Sequence, residues 1–178
     1  MSRDFPDWID VERAAQGGRR FAGEIPLLWL ERVVDLLTAP EPDEVIGFEV
    51  EVSANKQGTL LVDVHVFGAV PMTCQRTLKR FWQPIDSHST LAIVKSEREL
   101  DELPEDLEPK LVADGRVKLA ELVEDELLLA LPLVPKDPAS EPVINAGDVL
   151  VEVDQAQKNP FAALAGMRGG QSEQDDEN

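Results

Sequence analysis

The chain has 178 residues, with 35 Asp and Glu against 17 Lys and Arg (a formal net charge of −18), 43% hydrophobic residues and one cysteine. That length suits one domain with tails and a core of real size, and that charge repels phosphate backbones and anionic headgroups, which excludes broad coating of nucleic acid or membrane. A lone cysteine makes no internal disulfide, Met1 to Asp10 holds no apolar signal region, and the longest apolar run, Leu127 to Val134, falls far short of the roughly 20 residues of a spanning helix. The composition thus reads as a soluble, cytosolic (cytoplasmic) chain with no membrane partner.

In chain order, Asp10 is placed to cap a short helix over Val11 to Gln16, stopped by Gly17-Gly18. Arg19 to Ile25 reads as a strand with Phe21 buried. Leu27 to Leu37 has apolar residues at 27, 28, 30, 33, 34 and 37, a helix-period stripe opened by Pro26 and closed by Pro40 and Pro42. Val45 to Val52 then alternates, with Phe48, Val50 and Val52 opposite Glu49 and Glu51. Leu60 to Phe67 alternates again, with Val62, Val64 and Val66 opposite Asp63, His65 and Phe67. Asn55-Lys56-Gln57-Gly58 between them predicts an antiparallel hairpin.

Further strands are expected at Ala69 to Thr73, Leu78 to Trp82 and Thr90 to Val94, the last two separated by a loop at Pro84 to Ser87. Ser96 to Leu103 reads as a capped acidic turn, and Asp114-Gly115 as a tight turn between Lys110–Ala113 and Arg116–Lys118. Leu119 to Leu131 has apolar residues at 119, 122, 123, 127, 130 and 131, the pattern of an amphipathic helix that Pro132 ends. The expected fold is α+β, an antiparallel sheet of about four to six strands packed by the two amphipathic helices. The expected division is an N-terminal segment over 1–18, an α+β core over 19–135, an extended segment with a short helix over 136–168, and a disordered acidic tail over 169–178.

The charge is uneven. Ala69 to Lys95 holds Arg76, Lys79, Arg80 and Lys95 against Asp86, a balance of +3. Phe81 and Trp82 lie beside these cations. Bases stack on aromatic rings while cations meet phosphates, so Cys74, Arg76, Lys79, Arg80 and Trp82 form a candidate RNA- or partner-binding set. The plainer alternative is a strand with core aromatics and surface cations. Cys74 reads as a small hydrophobe at a strand end, with an activated thiol as the alternative.

Glu97 to Glu126 has a balance of −8, and Glu121, Glu124, Asp125 and Glu126 decorate the last long helix. They read as a solvated face, or as a face that docks a basic partner such as a ribosomal protein. Asn159, Pro160, Phe161 and Leu164 open a short helix that could dock a partner or fold back on the core. His65 and His88 are 23 residues apart without ligand-like spacing, His88 is expected in a loop, and no metal site or cofactor is expected. No phosphate loop, nucleophile elbow or dinucleotide fingerprint occurs.

Three segments together resemble the YceD family, the large ribosomal RNA subunit accumulation proteins. They are Cys74-Gln75-Arg76 after Pro71-Met72-Thr73, then Glu121 to Pro132 with Val134-Pro135, then Lys158 to Ala165. The resemblance covers roughly 20–168. It implies a role in making, processing or stabilising 23S ribosomal RNA or its precursor, with no known catalytic activity. Many members have a second cysteine where this chain has Thr77, and some have His or Cys just after the Pro135 position. Lys136 to Ser140 has neither, so the resemblance implies no metal here.

Overall fold

A computed structural model describes residues 5–101, 103–104 and 107–140. The described chain runs β1 (Trp8–Asp10), α1 (Val11–Gln16), β2 (Arg20–Pro26), a 3-10 turn (Leu27–Trp29), α2 (Glu31–Val34), β3 (Val45–Ala54), β4 (Leu60–Thr73), β5 (Arg80–Val94), α3 (Glu97–Asp101), β6 (Glu108–Leu111), β7 (Arg116–Lys118) and α4 (Leu119–Ala130). Five strands form one sheet in the order β2-β3-β4-β5-β6, antiparallel except where β6 runs parallel to β5. β1 and β7 form a second, two-stranded antiparallel sheet.

Strand alternation sorts the main sheet into two faces. Phe48, Val50, Val52, Val62, Val64 and Val66 point to one face and are fully buried. α1 packs across β3 and β4, and α4 across β4 and β5. Helix α1 starts as expected, with the Asp10 carboxylate accepting from the Arg13 N–H at 3.0 Å. Phe21 is only partly buried, and Ile25 is the fully buried residue of β2.

The expected helix from Leu27 to Leu37 is replaced by a 3-10 turn and the single turn α2. Leu30 leaves helical geometry (φ −96°, ψ 83°) and is 1% exposed. The buried residues are Leu27, Leu30 and Val33, spaced by three as in a 3-10 path, while Leu28 is exposed. A tertiary acceptor competes with the continuous helix. The Arg32 N–H, which such a helix would give to the carbonyl four residues back, donates instead to Glu124 Oε1 of α4 at 2.7 Å.

The strands expected at Ala69 to Thr73, Leu78 to Trp82 and Thr90 to Val94 are not separate. β4 and β5 pair without a break from Leu60↔Ile93 to Thr73↔Arg80. Pro71 and Pro84, read as interruptions, lie where β4 and β5 have only each other as neighbours, so each sits on a ribbon edge that tolerates a missing N–H. His88 is therefore on a strand, directly opposite His65, rather than in a loop. The Asp114-Gly115 turn forms, with Gly115 at φ 68°, but its flanking strands join different sheets. No helix among the described residues is long and apolar enough to cross a membrane.

Candidate functional site

The basic segment identified in the sequence folds into one corner, where the end of β4 turns through Cys74–Lys79 into β5. Cys74 N–H donates to the Lys79 carbonyl at 2.9 Å and Leu78 N–H to the Cys74 carbonyl at 2.8 Å. This knuckle holds Leu78 at φ 57° with its side chain 75% exposed. A second loop, Pro135 to Ser140, lies against it. Gln75 N–H donates to the Pro135 carbonyl at 2.8 Å, and Arg76 donates to the Ser140 carbonyl.

Cys74 is fully buried between the two loops. Its Sγ accepts from the Asp137 N–H at 3.4 Å and lies 3.7 Å from Ser140 Oγ. The Thr77 hydroxyl lowers the thiol most. Burial opposes it, and the backbone N–H groups of Asp137, Arg76 and Thr77 add to the lowering, bringing the pKa to about 6. Donors on every side favour the thiolate, and burial closes it to reagents. Cys74 thus ties two loops together. Among the described residues, no group of three or more His, Cys, Asp or Glu is placed to hold a metal ion.

This predicts a titration. Thiolate absorbance of the native protein should rise with a midpoint near pH 6 and vanish in Cys74→Ala. A depressed folded-state pKa stabilises the fold fully above the unfolded thiol's value of about 8.5. That contribution is lost as pH falls through about 6. The stability gap between wild type and Cys74→Ala should therefore widen from pH 6 toward 8.5; a constant gap would contradict it.

The other candidates at this corner separate into structural and exposed groups. Arg80 donates from Nε to the Thr38 carbonyl at 3.1 Å, pairs with Glu44, and places its guanidinium 4.9 Å from the Trp82 ring centroid. Phe81 is buried and Trp82 is 48% exposed, the opposite facing that a strand requires. Lys79 is exposed at the tip. The corner thus presents Lys79, Leu78 and an Arg80-stacked Trp82, while Arg76 is used to hold Ser140. Asn159, Pro160, Phe161 and Leu164 lie outside the described residues.

The acidic run on α4 is not one solvated face: Glu121 is exposed and pairs with Lys118, whereas the others turn toward the protein. Glu124 and Glu126 are 7% and 5% exposed. Helix α4 has neighbours on two sides, α2 and the sheet, so more than one apolar stripe is covered. Glu124 accepts from Arg32 N and, at 2.8 Å, from Arg32 Nε. Asp125 takes Arg32 and Lys110, each at 2.7 Å. Burial raises the Asp125 pKa, but the bonds from Lys110 and Arg32 outweigh it and the net shift is downward. The bonds to Glu124 and then Asp125 in turn raise that of Arg32. Glu126 accepts from the Ser87 and Ser89 hydroxyls of β5. Sequence reading missed Ser87 and Ser89 because it placed Ser87 in a loop and carried no register for β5 against α4.

The fold and its surfaces define an α+β protein whose candidate site is a surface of exposed aromatic and cationic side chains over a sealed thiol. The family described as Large ribosomal RNA subunit accumulation protein YceD matches residues 62–168. A curated Haemophilus influenzae protein of that same name is 29% identical over 168 residues, spanning 92% of this chain and 95% of the relative. No solved structure gives a significant match. The chain belongs to the YceD family.

Proposed function

We propose that this protein supports the accumulation of large-subunit ribosomal RNA in the cytoplasm, as a non-enzymatic assembly factor acting on 23S RNA or its precursor. Family membership over 62–168 supports the general role. The observation that supports a direct RNA contact is the Lys79, Arg80 and Trp82 corner, where a half-exposed indole lies under the Arg80 guanidinium and the preceding residue, Lys79, is exposed. An unpaired base stacks on the indole and its phosphate meets Lys79. The sealed Cys74 and the Arg76 bridge position the loop that carries these groups.

Depletion of the protein should lower 23S RNA or raise its precursors on gels, and unchanged levels would sink the role. The contact is tested separately. Arg76 and Arg80 also hold the fold, so the informative variant is Lys79→Ala with Trp82→Ala. It should bind precursor RNA about tenfold more weakly, since stacking on one base contributes about 1–3 kcal/mol. Wild-type affinity in that variant would remove RNA from this corner.

A further inference from the structure

Among the described residues, no element covers the second face of the main sheet. Arg20, Ala22 and Glu24 of β2, Glu49 and Glu51 of β3, Asp63, His65 and Phe67 of β4, and Asp86, His88 and Thr90 of β5 alternate outward, opposite the buried valines. Five carboxylates meet one cation, a balance of −4. Arg20 is paired with Glu49, and His65 Nε2 lies 2.8 Å from Asp86. Arg20, Glu49, Glu51, Asp63, His65 and His88 line a hollow of about 150 Å³.

Two features separate this face from an ordinary solvated surface. Glu51 lies directly opposite Asp63 in the β3–β4 register, and like charges in that position destabilise a sheet. Arg20 faces Glu51 in register, yet its guanidinium reaches Glu49, so the acidic pair has no cation among the described residues. The second feature is aromatic. The Phe67 ring is 39% exposed and lies over Gly47, so close that a Cβ there would stand 2.6 Å from it. Its centroid is 5.0 Å from that of His65, which is 6.3 Å from that of His88. The exposed Phe67 ring and the two tilted imidazoles form an aromatic centre among the carboxylates.

We propose that this open face docks an arginine- and lysine-rich segment of a partner protein. Charge complementarity selects the occupant. A guanidinium lies flat on the Phe67 ring and bridges neighbouring carboxylates, and a cation in the hollow relieves the Glu51–Asp63 repulsion. Strands spaced about 4.8 Å apart present the carboxylates at intervals that an extended basic segment can follow. The same charges repel RNA phosphates. This face and the Lys79–Trp82 corner point different ways in charge, and the two readings stand or fall separately.

The test titrates a labelled nona-arginine peptide against the full-length protein at low ionic strength. Two double variants remove the same charge: Glu51→Gln with Asp63→Asn on the open face, and Asp35→Asn with Glu97→Gln at exposed positions elsewhere. The first should weaken binding about tenfold and the second less than about twofold. Thermal unfolding of the first should be no earlier than wild type, since it removes a repulsion. Equal losses from both doubles would show that only net charge attracts the peptide and would overturn the site. So would an unchanged affinity in the open-face variant, or RNA crosslinks mapping to Phe67 or His65.

Discussion

Glu124→Ala is expected to destabilise the protein by about 3 kcal/mol, the lower end for breaking a buried ion pair, because Arg32 is itself half-exposed. In a chain of this size that lowers Tm by about 6–12 °C. The cost has two parts. The Arg32 N–H at the start of α2 loses its acceptor, and the guanidinium loses one of its two carboxylates. Glu124→Gln keeps an oxygen for the backbone donor and should cost about half as much. Arg32→Ala and Glu124→Ala should be partly non-additive, since both remove the side-chain pair while only Glu124→Ala removes the acceptor of the Arg32 N–H. Denaturant unfolding of the three variants measures this. A Glu124→Ala protein within about 0.5 kcal/mol of wild type would mean that the helix carboxylates are solvated after all.

Phe48→Ala should cost about 4 kcal/mol, in the range for emptying a fully buried aromatic site. Phe48 is 0% exposed and meets the Phe5 ring edge-on, with centroids 5.0 Å apart and planes at 86°. Phe67, on the open face of the same sheet, should cost less than about 1 kcal/mol when replaced by Ala. Its exposed ring contributes little to the core, so its presence there suits a contact surface. Parallel denaturant melts of the two variants decide the facing of β3 and β4. Similar losses from both would show that the second face is covered.

The alternation in Val45 to Val52 and Leu60 to Phe67 already placed Phe48 inward and Phe67 outward, because period two is a local property of a strand. The same was true of Asp10 capping α1 and of the apolar spacing in Leu119 to Leu131. Local signals failed where a residue's partner is distant in sequence. Leu27 to Leu37 had helical spacing but broke at Leu30, because Glu124 supplies an acceptor from 92 positions away. Pro71 and Pro84 looked like strand breaks and became edge positions once β4 and β5 had paired. At the candidate site, Cys74, Lys79, Arg80 and Trp82 were recognisable by type and proximity. The loop that seals the thiol was not, since Pro135 to Ser140 reaches it only through the fold.

The net charge of −18 shows the same division. The excess of acid, the basic segment, the two-faced strands and the motifs shared with the YceD family are local properties, legible along the chain. Which acids remain outside follows from contacts between distant segments. On α4, Glu124 and Asp125 are paired with Arg32 and Lys110, Glu126 is buried against the Ser87 and Ser89 hydroxyls, and Glu121 stays exposed with Lys118. The acids of β2 to β5, scattered along the chain, gather on one open face. Composition counts charges one residue at a time, whereas their exposure and partners depend on contacts between segments that only pairing and packing bring together.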